Sequence, residues 1–189
     1  MPKLGMEPIR RAALVKATID EIGAAGSLDV TVSRIARRAG MSSALAHHYF
    51  GGKDQIFEAA MRQILRDYGR AVVSELRGAQ GGLDRARAII RANFDDSCFA
   101  PETVSAWMLF YVQAQVSAGA RRLLDLYQRR LRSNLRHALR GHCADPAGAA
   151  DLIAALIDGL YLTDALVARD NDAEAKAMRL LDMLTGEAA

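Results

Sequence analysis

The sequence predicts an all-α protein of about nine helices, with no strand. Ala, Leu and Arg, which favour helix, are abundant, whereas there are only four prolines and no run of alternating apolar residues. Apolar residues recur at helical spacing in successive segments that Gly or Pro separates. With 189 residues, 51% of them apolar, the chain is long enough to bury a core without a disulfide framework.

The first helix begins at Glu7-Pro8, after a short arm, because proline is tolerated in the first turn. Gly26 is expected to end it. One face of this helix is apolar at helical spacing, through Leu14, Val15, Thr18, Ile22 and Ala25.

The next two helices are short. Thr31 is a good N-cap for a second helix that runs through Arg38 and stops at Gly40. Ser42 caps a third helix, from Ser43 to about Phe50.

Six longer helices are predicted after the break at Gly51-Gly52. The flexible segment 78–82 is the expected joint between two parts of the chain. The six helices are Lys53 to about Arg77, Leu83 to about Ser97, Pro101 to about Val116, one that follows Gly119 and ends near Arg140, about Ala147 to Ala168, and Ala173 to Leu184.

Charge is distributed unevenly along the chain. Residues 1–53 hold eight Lys or Arg against four acids, a net of +4, and the remaining residues have a net charge of −1. A basic N-terminal part attached to a nearly neutral body is what a phosphate-binding module needs. Many solvated helices are also basic, so the charge asymmetry alone does not establish phosphate binding.

Residues 31–50 match the offsets of a helix-turn-helix motif. Gly40 can adopt the positive φ that the turn needs, and Ala36 is small where the two helices cross. Apolar groups that would face the interior flank the turn, at Ile35, Ala39, Met41 and Ala46. A generic pair of helices is the alternative, since glycine follows many helices. The basic surroundings and the two caps favour DNA binding.

In such a motif the second helix enters the major groove and its N-terminal residues meet base edges. The predicted base-facing residues are Ser42, Ser43, Ala44, His47 and His48. The residues predicted to grip phosphates are Thr31, Arg34, Tyr49 and Lys53. A metal-binding or proton-transfer pair is the alternative for the two histidines, but adjacent helical positions point about 100° apart.

The segment 31–42, with His48-Tyr49-Phe50 and Lys53, closely resembles the DNA-binding segment of the TetR family of repressors. The opening residues 1–6, with Ile9-Arg10-Arg11, are similar to a choline-responsive branch of that family, which represses glycine betaine synthesis. Similarity to that branch extends to segments 105–107, 129–135 and 154–160. The chain departs from the usual residues of the family at Ala44, Ala46, His47 and Gly51-Gly52.

The resemblance implies two domains: a three-helix DNA-binding domain at 8–68 and an effector-binding and dimerisation domain at 69–189. It implies a homodimer that binds a palindromic operator in double-stranded DNA. It also implies release by a small effector, choline or a related quaternary ammonium compound, or else another hydrophobic or cationic ligand. The expected location is the bacterial cytoplasm, in association with the nucleoid.

The predicted helix 147–168 is apolar on nearly all sides, so it must be covered on most sides. A second subunit is the natural cover, with Met178, Leu181 and Leu184 of the last helix on the same interface. The alternative is a central core helix in a monomer.

Aromatic residues gather in the second part of the chain. Trp107 and Tyr111 are four apart and share a helical face. A quaternary ammonium group is held by aromatic faces and a nearby carboxylate. The candidate effector residues are Phe94, Trp107, Tyr111, Tyr127 and Asp158, with Asp95 or Asp96 as other carboxylates. An ordinary aromatic core is the alternative.

The sequence predicts no enzyme, cofactor or metal site. It contains no Glu-x-x-His pair, phosphate loop or nucleophile elbow. Cys98, His142 and Cys143 form a poor metal signature. No export signal is recognised, and the longest apolar run, Leu152 to Ile157, falls short of the roughly 20 residues of a membrane span. A helical interaction protein that does not bind DNA is the remaining rival.

Overall fold

The computed structural model describes residues 5–27, 29–95, 100–166 and 172–187, and within those ranges it contains nine α-helices and no strand. The all-α prediction is therefore confirmed. The helices are α1 (Met6–Ala25), α2 (Val32–Arg38), α3 (Ser43–Phe50), α4 (Lys53–Leu76), α5 (Gly82–Asn93), α6 (Pro101–Val116), α7 (Ala118–Ala138), α8 (Pro146–Leu166) and α9 (Ala173–Thr185).

Most predicted helix boundaries agree with these bounds to within a residue or two. The main difference is α5, which ends at Asn93 and not near Ser97. The amide of Phe94 donates to the carbonyl of Arg91 at 2.9 Å, a tight three-residue closure that terminates the helix. Residues 96–99 lie outside the described residues, as does the predicted end of α8 at Ala168.

The turn between α2 and α3 depends on Gly40, whose φ of 68° lies in the left-handed region. The amide of Met41 donates to the carbonyl of Ala36 at 2.8 Å, and the amide of Gly40 donates to that of Arg37 at 3.1 Å. This pair of hydrogen bonds is the Schellman motif, which satisfies the last carbonyls of α2. The predicted conformation of Gly40 is confirmed.

Contacts divide the chain into two compact units. Unit 1 comprises Met1–Leu65 and Pro101–Leu123, and unit 2 comprises Arg66–Ala100 and Leu124–Ala189. Unit 1 therefore contains α6 as well as the first three helices, because α6 packs against α1. The predicted domain boundary at residue 68 stays a prediction.

The core of unit 1 forms beneath the helix-turn-helix. Leu14, Val30 and Ile35 are fully buried, and Ala36 and Ala46 are each 1% exposed. The small side chains at positions 36 and 46 are therefore buried, and α2 and α3 pack directly against each other. This packing fixes which face of α3 remains outside.

The core of unit 2 lies among α5, α7, α8 and α9. Its fully or almost fully buried side chains include Ile90, Leu131, Leu135, Leu139, Ile153, Ile157 and Leu181. The expectation that Leu181 faces a partner subunit is wrong, because α9 turns Ala173, Ala177 and Leu181 inward, onto the core of its own chain. Met183, 70% exposed, is a large apolar residue that α9 presents outward.

The helix α8 is more apolar over its whole length than its longest uninterrupted apolar run, Leu152 to Ile157, suggests. Its window Pro146–Thr163 has a mean hydropathy of 1.2, which by length and composition alone would allow it to cross a membrane. A third of that window is buried inside the chain. Core helices of other proteins share these properties, so the window by itself decides nothing about a membrane.

Candidate nucleic-acid interface and effector site

The outer face of α3 is formed by Ala44, His47 and His48, all exposed. These positions are three and four residues apart, so they form one continuous stripe. Ala46 is 1% exposed and lies on the opposite side, in the core. The structure thus brings three of the predicted base-facing residues together on an accessible helical surface.

Two of the residues predicted to contact DNA, Thr31 and Ser42, also act as the N-caps of α2 and α3. The Thr31 hydroxyl oxygen accepts from the amide of Arg34 at 3.2 Å, and that of Ser42 accepts from the amide of Leu45 at 3.2 Å. Each hydroxyl keeps its own proton for a further acceptor, such as a phosphate oxygen. Ser43 is half-buried, and its Oγ accepts from the Oγ of Ser33 at 3.3 Å.

The ring of His47 is oriented by the turn that follows α3. Its Nδ1 lies 3.1 Å from the carbonyl oxygen of Gly51, which can only accept a hydrogen bond. Nδ1 therefore holds the proton, and in the neutral ring Nε2 is an acceptor. In this tautomer Nε2 can accept from the amino groups of adenine or cytosine.

The predicted phosphate-gripping side chains are in different situations. Nη2 of Arg34 forms an ion pair with Oε2 of Glu21 at 3.0 Å. The Tyr49 hydroxyl accepts from Nη1 of Arg10 at 3.5 Å, and Nζ of Lys53 lies 5.4 Å from the centre of the Phe57 ring. The Lys53 ammonium carries no carboxylate partner among the described residues and remains exposed.

Glu21 is an anchoring residue that the sequence analysis missed. It is only 7% exposed, and its Oε1 accepts from Nε of Arg38 at 2.5 Å. That hydrogen bond lowers the pKa of the Glu21 carboxyl, with burial acting in the opposite direction and the charges of Arg38 and Arg34 adding to the lowering. A signal was present, because Glu21 falls seven residues after Leu14 on the apolar face of α1.

Arg37 is a second residue that the sequence analysis did not select. It shares the outer face of α2 with Arg34, three residues earlier. Its guanidinium is exposed and has no carboxylate partner among the described residues. An exposed arginine on the helix that precedes α3 is chemically suited to a phosphate oxygen.

Two of the predicted effector residues, Trp107 and Tyr111, lie on α6 in unit 1. Trp107 is 7% exposed, and its ring centre is 5.7 Å from that of Phe110 and 6.1 Å from that of Tyr111. The predicted proximity of Trp107 and Tyr111 is therefore present, and the indole packs against the rings of Phe110 and Tyr111.

The other predicted aromatic residues lie in unit 2, where they surround Asn93. The side-chain oxygen of this buried residue accepts from the Tyr127 hydroxyl at 3.3 Å, and its amide nitrogen donates to the Tyr68 hydroxyl at 3.3 Å. The Tyr161 hydroxyl donates to the main-chain carbonyl of Asn93. The aromatic cluster is defined here as Tyr68, Phe94, Tyr127 and Tyr161.

Two ring pairs make up this aromatic cluster. Phe94 and Tyr161 are stacked, with centres 6.0 Å apart and an interplanar angle of 19°. Tyr68 and Tyr127 meet edge to face at 5.5 Å. Asp158 is half-buried, and its Oδ2 accepts from Nε2 of Gln128 at 3.4 Å. Sequence reasoning missed Asn93 and Tyr68, since neither belongs to a recognisable motif.

The described residues contain no group of three or more His, Cys, Asp or Glu that could hold a metal ion. Of the weak set considered from the sequence, Cys98 lies outside the described residues, as does the alternative carboxylate Asp96. The thiol of Cys143 is half-buried and lies 3.9 Å from the carbonyl oxygen of Leu139.

Comparison with known proteins gives two family matches. Residues 14–60 match the family model described as bacterial regulatory proteins, tetR family. Residues 82–186 match the one described as BetI-type transcriptional repressor, C-terminal. The HTH-type transcriptional regulator BetI of Agrobacterium fabrum is 52% identical over 168 residues, which cover 88% of this chain and 82% of that protein.

Solved structures share the fold. A transcriptional regulator from Pseudomonas aeruginosa PAO1 superposes with a TM-score of 0.83 at 25% identity, covering 98% of this chain and 94% of that one. A transcriptional regulator from Saccharomonospora viridis, solved in complex with choline, gives 0.76 at 20% identity, covering 92% and 94%. Because the relatives are named transcriptional regulators, the expectation of a regulator and not an enzyme is confirmed. This chain therefore belongs to the TetR family of transcriptional regulators, and its C-terminal part is of the BetI type.

Proposed function

We propose that this chain is a dimeric repressor that binds a palindromic operator through α2 and α3 and is released by choline or a related quaternary ammonium compound. In this proposal it controls glycine betaine synthesis and acts in the bacterial cytoplasm, in association with the nucleoid. The single observation that carries the DNA-binding part is the exposed stripe Ala44, His47 and His48 beside accessible cations.

Each part of that surface has a distinct role in the proposal. The α3 stripe reads base edges, with Ala44 against a thymine methyl and the two imidazoles against hydrogen-bonding groups. Arg37, Lys53, Thr31 and Tyr49 contact phosphates, which fix the register without reading sequence. Arg34 contributes less than the sequence suggested, because Glu21 offsets part of its charge.

The proposed dimer uses an apolar stripe on α8 and α9. Leu152 is 55% exposed and Leu162 is 47% exposed, and the small residues Ala155 and Gly159 lie exposed between them. These positions are separated by three, four and three residues, so they line one face. Met183 of α9 adds a further exposed apolar side chain. A second copy would cover this face and present two recognition helices to a palindrome.

Choline is the proposed effector because both candidate regions are aromatic. In unit 2, Phe94 and Tyr127 belong to the aromatic cluster, and Asp158 supplies a half-buried carboxylate. In unit 1, Trp107 and Tyr111 offer a second aromatic surface. Aromatic faces and a carboxylate attract a quaternary ammonium group, which has no N–H to donate. The choline complex of the Saccharomonospora viridis protein gives independent support for this ligand class.

Release would follow from a difference in affinity. An effector that prefers a conformation with misplaced recognition helices weakens operator binding by the ratio of its affinities for the two conformations. The helix α4 is the expected lever, since it begins directly after α3 and extends from residues of unit 1 into residues of unit 2.

The test is a gel shift with a short palindrome taken from upstream of the chain's own gene, at several salt concentrations and with added choline. Binding driven by phosphate contacts must weaken steeply with salt, and choline should release the DNA. A complex that forms equally well with an unrelated duplex of the same length would contradict the repressor proposal.

The effector is tested by isothermal titration with choline, betaine aldehyde and glycine betaine. Trp107→Ala should abolish release by choline while operator binding persists. Tyr127→Phe is the corresponding variant in unit 2, and it removes the hydroxyl while keeping the aromatic ring. Binding of none of the three compounds would favour another hydrophobic or cationic effector. Unchanged release by the Trp107 variant would remove that residue from the site.

A further inference from the structure

A basic groove lies on unit 2, and its lining includes no residue of the aromatic cluster. It has a volume of about 630 Å³ and is lined by the end of α4, by α5, by the C-terminal half of α7 with Arg140 just beyond it, and by the start of α8. Its basic residues are Arg85, Arg129, Arg132, Arg136, Arg140 and His137. This set of residues is called the basic groove below.

The groove contains far more positive than negative charge. Asp151 is the one acidic residue in its lining, and its Oδ1 lies 3.0 Å from Nε of Arg132. Arg85, Arg129, Arg136 and Arg140 have no carboxylate partner among the described residues, although Nε of Arg129 contacts the Asp125 carbonyl at 3.3 Å. Like charges in one concave surface repel, so this arrangement is destabilising without an anion.

Two arginines of unit 2 that lie outside the groove, on α5, are paired. Arg87 on α5 forms ion pairs with Asp182 and Glu187, and Nε of Arg91 lies 2.9 Å from Oε2 of Glu75. Carboxylates are therefore available to other arginines of α5, whereas Arg85, on the groove side of the same helix, has none within the described part of the chain. A concave surface of one sign concentrates ligands of the opposite sign.

The shape and lining define the ligand class. Leu76, Ile89, Ala147 and Ala150 supply apolar surface beside the arginines, whereas Ser133 and Asn134 supply hydrogen bonds. Arg129 and Arg136 are two helical turns apart, about 10 Å along α7, which is enough for several phosphates. A volume of about 630 Å³ is typical of small-molecule sites and too small to admit a DNA duplex.

We propose that the basic groove binds a small organic polyphosphate, whose phosphates contact Arg85, Arg129, Arg136 and Arg140 and whose carbon skeleton lies on the apolar lining. Guanidinium groups bind phosphate oxygens through paired charge-assisted hydrogen bonds, which are stronger than neutral ones. This inference does not depend on the proposed operator or on choline.

The test is isothermal titration of the full-length chain, at low salt, with two probes: inorganic tripolyphosphate and ATP. Both should bind saturably, with ATP tighter because its nucleoside adds apolar contact. Arg136→Gln/Arg140→Gln should lower both affinities by about tenfold or more. The charge-matched control is Arg122→Gln/Arg130→Gln, which removes two exposed arginines of α7 outside the groove and should change affinity less than about twofold.

Two further arms make the result decisive. Arg85→Gln, on the α5 side of the groove, should weaken the binding of both probes. This variant keeps the test valid even if the double variant does not fold. A nonspecific DNA duplex and the operator should bind the groove variants as they bind the parent chain. Absence of saturable probe binding, equal losses in the control variant, or loss of duplex binding in the groove variants would each overturn the inference.

Discussion

The carboxylate of Glu21 in α1 accepts a hydrogen bond from the guanidinium of Arg38 in α2, across 17 residues of sequence. The Glu21 side chain is 9% exposed, whereas that of Arg38 is 42% exposed. A nearly buried acid therefore holds the last turn of α2, directly before the turn at Gly40 that leads into α3. The same carboxylate lies 3.0 Å from Arg34.

Replacing Glu21 with Gln should lower the free energy of unfolding by about 1 kcal/mol, since one charged hydrogen-bond partner is lost and the arginines remain hydrated. Urea unfolding at pH 7 measures this. Glu7→Gln is the matched control, because its ion pair with Arg11 is solvent-exposed on both sides and should contribute less than about 0.5 kcal/mol. Equal losses in the two variants would show that Glu21 anchors nothing.

The contribution of Glu21 should depend on pH. The hydrogen bond from Arg38 lowers the pKa of this carboxyl below its ordinary 4.5, so its stabilisation is fully present above that value. As the pH falls from 4.5 through the lowered pKa, the folded chain takes up the proton and the stabilisation is lost. The stability difference between the parent chain and Glu21→Gln should therefore shrink below pH 4.5. A constant difference down to pH 3 would contradict this assignment.

Gly23 is required by close packing between α1 and α6. A Cβ at this position would lie 2.6 Å from the Cα of Glu102, closer than two carbon atoms that are not bonded to each other can approach. Gly23→Ala should therefore force α6 away and destabilise the chain by about 1–3 kcal/mol.

The matched control is Gly69→Ala in the interior of α4, where no atom lies within 4 Å of the added carbon. Alanine favours helix over glycine, so this change should stabilise the chain by up to about 1 kcal/mol. Thermal or urea unfolding separates the two. The close approach would be disproved if both variants were stabilised.

Arg37→Gln should weaken operator binding nearly equally for all sequences and reduce the slope of log affinity against log salt by about one. The physical reason is the loss of one released counterion. Gel shifts at four salt concentrations measure the slope. Arg62→Gln is the control, because Arg62 is an exposed arginine of α4 that already pairs with Glu58. A slope that does not change for Arg37→Gln would remove this residue from the phosphate contacts.

Leu152→Glu should convert the proposed dimer to a monomer, because it places a charge within an interface that excludes water. Analytical ultracentrifugation measures the mass directly. Val73→Glu is the control, an equally exposed apolar residue on α4 at 55%. If the Leu152 variant kept the mass of the parent chain, the α8 stripe would not be the interface.

Much of this molecule is determined locally, and local features could be predicted from the sequence. Thr31 and Ser42 cap helices because their hydroxyls are short and lie three residues before an unpaired amide, and Gly40 adopts a positive φ that other residues avoid. Helical periodicity likewise predicted about nine helices, and the offsets of the helix-turn-helix motif predicted the base-facing residues of α3. These features need only near neighbours in the chain.

Contacts between residues far apart in sequence could not be predicted in this way. The direction in which α9 turns Leu181, the arrangement of four aromatic rings around Asn93 and the unpaired arginines of the basic groove each depend on how separate helices pack. Periodicity identifies which face of a helix is apolar, but it does not identify what that face meets. Tertiary packing decides whether a charge such as that of Glu21 is solvated or becomes a buried anchor, because its neighbours come from distant segments of the chain.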